Sequence, residues 1–118
     1  MHTSTPIKGI NSGDKAFGAI YATPNESTVV SEWEGQYSNL TVANAGRYWD
    51  YADVTLETYS VTSCDQMATG TFVFENLQLF ASDGTLLAPE WKNTTIEPSE
   101  CGGSISASGV TVAISHNL

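Results

Sequence analysis

Apolar residues in this chain recur at alternate positions over short stretches, and no segment carries the capped 3.6-residue period of an amphipathic helix. Residues 16–23 put Phe17, Ala19 and Tyr21 on one side. Residues 28–37 read as a single strand with Val29, Trp33 and Tyr37 on one face and Glu32 and Glu34 on the other, because side chains alternate along a strand. A third strand is predicted over residues 47–51, Arg-Tyr-Trp-Asp-Tyr, and a fourth over 53–62, beginning with Val54 and Leu56 on one face. In residues 70–80, Phe72 and Phe74 share one parity while Leu77 and Leu79 take the other. That stretch is therefore either bulged near Glu75-Asn76 or buried on both faces. The last strand alternates Val110, Val112 and Ile114 with Thr111, Ala113 and Ser115, a pattern that predicts one solvated face.

Turn chemistry separates these segments at short intervals, as in Asn11-Ser12-Gly13-Asp14, Pro24-Asn25, Asn44-Ala45-Gly46, Ser82-Asp83-Gly84 and Ser108-Gly109. Short strands with regular turns predict an all-β fold, an antiparallel β-sandwich of jelly-roll or immunoglobulin-like type with seven or eight strands. At 118 residues there is room for one core, so residues 1–118 are read as a single domain, with the first dozen residues and the last three as candidates for disorder.

Charge narrows the partners. The chain has 13 Asp and Glu against four Lys and Arg, a formal charge of −9 and a sequence pI near 4.2. Nucleic acid is excluded as an expected partner because its phosphates require cations, and an anionic membrane surface is disfavoured for the same reason. No apolar run approaches the roughly 20 residues of a transmembrane helix. Two cysteines, Cys64 and Cys101, stand in no ligand-like spacing, so no zinc site is expected and one disulfide is. In the loop-closure picture it would contribute about 4 kcal/mol.

Three Asn-x-Ser/Thr triplets begin at Asn25, Asn39 and Asn93, each in or beside a turn signal, and are candidate glycosylation sites. With the disulfide and the Ser-, Thr- and Gly-rich composition they point to a secreted protein. The polar N-terminus contains no signal peptide, so the expected form is a mature chain with an added Met1.

Catalytic chemistry finds little to work with. His2 and His116 are the only histidines, and no Gly-x-Ser-x-Gly elbow accompanies them. With Met1 removed, His2 and His116 would resemble the copper brace of lytic polysaccharide monooxygenases. The plainer expectation is a terminal and a surface histidine, with no metal and no cofactor. Glu32 and Glu34, about 6.6 Å apart if they share a strand, have a spacing at which two carboxylates divide acid and base roles. A solvated acidic face is the ordinary outcome of such a pair. Asp50 and Asp53, or Asp83, are candidates for weak calcium binding, although no twelve-residue calcium loop occurs.

Aromatic residues carry the more informative signal. Trp33, Trp49 and Trp91 with Tyr37, Tyr48, Tyr51 and Tyr59 exceed what the surface of a small monomer is expected to carry, and Tyr48-Trp49-Asp50-Tyr51 must present rings on both faces of a strand. The plainer alternative is that Trp33 and one Tyr fill the core and Trp91 caps an open end. Flat rings bordered by Asp, Asn and Gln suit sugars, whose C–H faces stack while hydroxyls find polar partners. The candidate ligand-binding set is Tyr48, Trp49, Asp50, Tyr51 and Trp91.

Two stretches, Gly18-Ala19-Ile20-Tyr21-Ala22-Thr23-Pro24 and Thr28-Val29-Val30-Ser31-Glu32-Trp33-Glu34-Gly35, resemble the opening strands of the fungal glutamic peptidases (eqolisins), and Ser108-Gly109-Val110-Thr111-Val112 is similar to their closing strand. The resemblance covers about a quarter of the chain and implies a two-sheet sandwich. The family's catalytic Gln and Glu motifs are missing. Only Ser31-Glu32-Trp33-Glu34 partly resembles one of them, so Glu32 alone is a candidate catalytic acid. The leading expectation is a secreted, non-enzymatic module binding glycans or cell-wall polysaccharide. The alternatives are a protein-interaction, effector or inhibitor module and a small glutamic-peptidase-like hydrolase.

Overall fold

The computed structural model describes residues 2–47, 49–55, 60–94 and 101–116. The chain is all-β: strands dominate, helical content among the described residues is limited to 3-10 geometry at Cys64–Gln66 and at Cys101, and every sheet described is antiparallel. Two compact units divide it, Met1–Ala52 and Asp53–Leu118.

The first unit is a three-stranded meander of β1 (Phe17–Ala22), β2 (Glu26–Trp33) and β3 (Gln36–Ala43). Pro24-Asn25 turns β1 into β2, with the Thr23 N–H donating to the Glu26 carbonyl at 2.8 Å and the Thr23 hydroxyl oxygen accepting from the Glu26 N–H at 3.1 Å. The single strand expected over residues 28–37 is a hairpin instead. Glu34 and Gly35 take φ of +44° and +78°, as the two central residues of a primed hairpin turn must. The turn pairs Trp33 with Gln36 and Glu32 with Tyr37. Positions of opposite parity therefore face the same way, which separates Tyr37 from Val29 and Trp33.

The described residues of 47–51, expected to be a strand, form none. Beyond them, 53–55 and 60–62 are also outside any strand, while Tyr48 and 56–59 lie outside the described residues.

In the second unit, β4 (Gly70–Phe74), β7 (Gly103–Ser108) and β8 (Thr111–His116) form a sheet in the order β4-β8-β7. β5 (Leu79–Phe80) and β6 (Leu86–Leu87) form a small hairpin. The stretch over 70–80 breaks where its parity changes. Asn76 sits at φ +57°, and the next residue, Leu77, donates its N–H to the Val110 carbonyl at 2.9 Å. The predicted alternation of the last strand holds from Thr111 on: Val112, Ile114 and His116 are buried while Thr111, Ala113 and Ser115 are half-buried rather than fully solvated. Val110, expected with the buried set, lies exposed in the turn before the strand. Register aligns Phe72 and Ile105 with Ile114, and Phe74 and Ala107 with Val112, giving the sheet one apolar face. The other face is rich in Ser and Thr, with Thr71 and Ser115 sharing a hydrogen bond of 2.9 Å. His116, expected at the surface, is 2% exposed on the apolar face, where its strand neighbours are Gly70 and Gly103.

The predicted disulfide is present. Cys64, in the 3-10 turn Cys64–Gln66, bonds Cys101, which is buried, with 5.2 Å between their Cα atoms.

Candidate functional site

The β1–β2–β3 sheet presents two unlike faces. One carries Gly18, Ile20, Ser27, Val29, Ser31, Trp33, Gln36 and Ser38, and the chain preceding β1 folds back against its Gln36–Ser38 end. There the Gln36 amide donates to the Lys8 carbonyl at 2.8 Å and accepts from the Lys8 N–H at 3.0 Å. Ser38 donates to the Thr5 carbonyl and shares a bond of 2.9 Å with the Ser4 hydroxyl. The Trp33 ring packs beside Gly9, where an added Cβ would lie 3.5 Å from it. These contacts leave a shallow cleft of about 300 Å³ edged by Pro6, Ile7, Ile10, Ala16, Ser31 and Ser38.

The far end of this same face is closed by a chain of polar contacts. Trp49 Nε1–H donates to Ser27 Oγ at 3.0 Å, Ser27 Oγ–H donates to Asn44 Oδ1 at 2.9 Å, and Asn44 Nδ2–H donates to the Thr23 carbonyl at 2.6 Å. Ser27 and Asn44 are both buried, so each bond satisfies a group that would otherwise be costly to desolvate. Trp49 is thus anchored by its nitrogen while its ring stays 64% exposed, and Asp50 and Tyr51 beyond it are exposed.

The opposite face is aromatic. Phe17, Ala19 and Tyr21 from β1, Thr28, Val30 and Glu32 from β2, and Tyr37, Asn39 and Thr41 from β3 stand together by register. Phe17, Tyr21 and Tyr37 are 57%, 62% and 59% exposed, around a buried Val30. Strand spacing puts Phe17 and Tyr37 about 10 Å apart, and four residues along β1 put Phe17 and Tyr21 about 13 Å apart. Asn39 Nδ2–H reaches the Tyr37 hydroxyl at 3.5 Å, and the Thr28 and Thr41 hydroxyls bond at 2.7 Å. Sequence reasoning placed Phe17 and Tyr21 on one side but did not single them out. The signal that would have completed the set is the Glu34-Gly35 turn.

The remaining candidates scatter. Trp91, in the second unit, is half-buried with its N–H donated to the Gly109 carbonyl at 2.9 Å. Tyr48 and Tyr59 lie outside the described residues. Glu32 is exposed on β2, but Glu34 belongs to the turn, so the expected carboxylate pair does not share a strand face. Gln36, the glutamine closest in sequence to Glu32, points to the opposite face. Asp83 is engaged locally: the Thr85 N–H donates to its Oδ1 at 2.9 Å and holds its carboxyl below the ordinary value. Among the described residues no three His, Cys, Asp or Glu side chains gather as a metal site would require. Of the sequon asparagines, Asn25 is exposed in the β1–β2 turn, Asn39 is exposed on the aromatic face, and the Asn93 amide donates to the Ile105 carbonyl at 3.4 Å.

Comparison of the chain with protein-family models, curated proteins and solved structures finds no match.

Proposed function

We propose that this protein is a secreted, non-enzymatic module that binds a polysaccharide on the β1–β2–β3 face bearing Phe17, Tyr21 and Tyr37. The observation that carries the reading is the exposure of all three rings on one sheet face, with Asn39, Thr28 and Thr41 supplying polar partners among them. The spacing of about 10 Å between Phe17 and Tyr37 suits stacking of alternate pyranose rings, and stacked aromatics with a few placed hydrogen-bonding groups are what sugar recognition needs. Trp49, Asp50 and Tyr51 are a second exposed aromatic group, outside the sheet. Secretion is supported by the Cys64–Cys101 disulfide and the three sequons. A jelly-roll or immunoglobulin-like sandwich, as in the glutamic peptidases, is proposed as the architecture on the strand lengths and the apolar face of β4-β8-β7.

Depletion of the purified protein by cellulose, chitin, deacetylated chitin, glucan and mannan tests the function. Phe17→Ala and Tyr37→Ala should each abolish most retention while Trp91→Ala leaves it intact. Retention of the wild type by none of these polymers would sink the proposal.

One observation favours a protein partner as the second reading. β4 is a sheet-edge strand of sequence Gly-Thr-Phe-Val-Phe with no charge to guard it, the kind of edge to which an extended peptide adds. That reading predicts that a charge on this edge, Val73→Lys, abolishes capture of a partner without affecting polysaccharide retention. The hydrolase reading needs Glu and Gln together, which the placement of Glu32 and Gln36 does not favour.

A further inference from the structure

The register of the aromatic face narrows the class of sugar, on the premise that the glycan reading above holds. Phe17, Glu32 and Tyr37 occupy one cross-strand row, with Glu32 in the middle. Directly opposed residues in an antiparallel ladder have Cβ atoms about 5 Å apart, so a carboxylate stands between two aromatic side chains. An ammonium group fits this arrangement doubly: it pairs with the carboxylate and is attracted to the electron-rich ring faces.

The surroundings reinforce that preference. β1, β2 and β3 contain no Lys or Arg, so nothing on these strands competes for the carboxylate or attracts an anion. Glu26 adds a second carboxylate to the same face. The whole chain carries −9, which repels uronic acids and sulfated sugars and raises the local concentration of polycations. A neutral hexose would satisfy the rings but leave the charged group at the centre of the row with only hydroxyls to bind.

We infer that the ligand of this face is an amine-bearing polysaccharide, a glucosamine polymer, whose ammonium groups are held between Phe17 and Tyr37 by Glu32. The test is titration calorimetry with glucosamine oligomers and N-acetylglucosamine oligomers of equal length at low salt, with a lysine oligomer of equal charge alongside. The free-amine sugar should bind about tenfold tighter than its acetylated counterpart, the ratio expected when one charge-assisted hydrogen bond distinguishes the two. Glu32→Gln should bring that ratio close to one. Glu34→Gln, the same charge change in the turn, should preserve it.

Equal affinity for the two sugars, or an unchanged ratio in Glu32→Gln, overturns the inference while leaving polysaccharide binding in place. Equal affinity for the lysine oligomer overturns it as well, because charge alone would then explain the binding. If neither sugar binds and no insoluble polymer retains the protein, the inference and the glycan reading fall together.

Discussion

The two three-stranded sheets have similar strand lengths and the same antiparallel pairing, yet their central strands differ in what they bury. In β4-β8-β7 the central strand buries Val112, Ile114 and His116, with a disulfide nearby in sequence, while Phe72, Val73 and Phe74 of β4 stay exposed. In β1-β2-β3 Phe17, Tyr21 and Tyr37 are exposed while Trp33 is half-buried, Val30 is the one buried aliphatic side chain described in the unit, and the well-buried contacts are polar, running Trp49–Ser27–Asn44–Thr23. A sheet that invests its aromatics in solvent exposure must be held by other means, and here those are tight turns and satisfied hydrogen bonds.

The contrast can be broken most severely at the disulfide. Cys101→Ser should cost about 4 kcal/mol in urea unfolding, since it releases a closed loop of nearly 40 residues. Hydrogen exchange should show β7 and β8 losing protection while β2 retains it, and equal loss in both sheets would contradict the comparison. Ile114→Ala comes next, at about 3 kcal/mol for a buried aliphatic truncation. Tyr21→Ala on the exposed face should stay within about 0.5 kcal/mol of wild type.

Asn44→Ala sharpens the comparison from the other side. Removing this polar hub leaves the Ser27 hydroxyl and the Thr23 carbonyl short of partners, at a cost of about 2 kcal/mol. A shift in Trp49 emission should accompany it, because the indole is tethered through Ser27. Ala45→Gly should stabilise by about 1 kcal/mol, since Ala45 holds φ at +51°, where an L side chain is strained. Thermal melts of both variants measure these effects.

The smallest effect belongs to Asp83. Its carboxyl titrates lower in the folded chain than unfolded, so the Thr85 bond stabilises the β5–β6 hairpin above the ordinary Asp range. That contribution is lost as the pH falls below about 4 and through the folded value. Asp83→Asn should flatten this part of the acid unfolding curve.

The strands at either end of the chain were legible because their alternation is uninterrupted, as Val112 and Ile114 show. β7 escaped notice because Gly-Ser-Ile-Ser-Ala-Ser has one large apolar residue, and its place in the sheet comes from pairing with β8 rather than from its own pattern. The β2–β3 hairpin was missed for a chemical reason. Glu is unusual at a position with positive φ, so Glu34-Gly35 lacks the Asn-Gly signature, and the alternation runs unbroken across it. That one turn decides the site, because it moves Tyr37 from the company of Trp33 to that of Phe17 and Glu32. Trp49, Asp50 and Tyr51 drew attention by their composition, but aromatic content does not make a strand, and among the described residues they pair with none.

The pairing of β4 with β8 also has a consequence during synthesis. β1, β2 and β3 are joined by two-residue turns, so they can close as soon as they leave the ribosome, at little loop-closure cost. β4 must instead wait for the last strand of the chain, since Gly70 is matched to His116. Until then its Thr-Phe-Val-Phe segment lacks its β8 partner, and an unpaired, uncharged strand of this kind is prone to associate with other nascent chains. The yield of correctly folded protein is therefore governed by how quickly the C-terminal hairpin arrives.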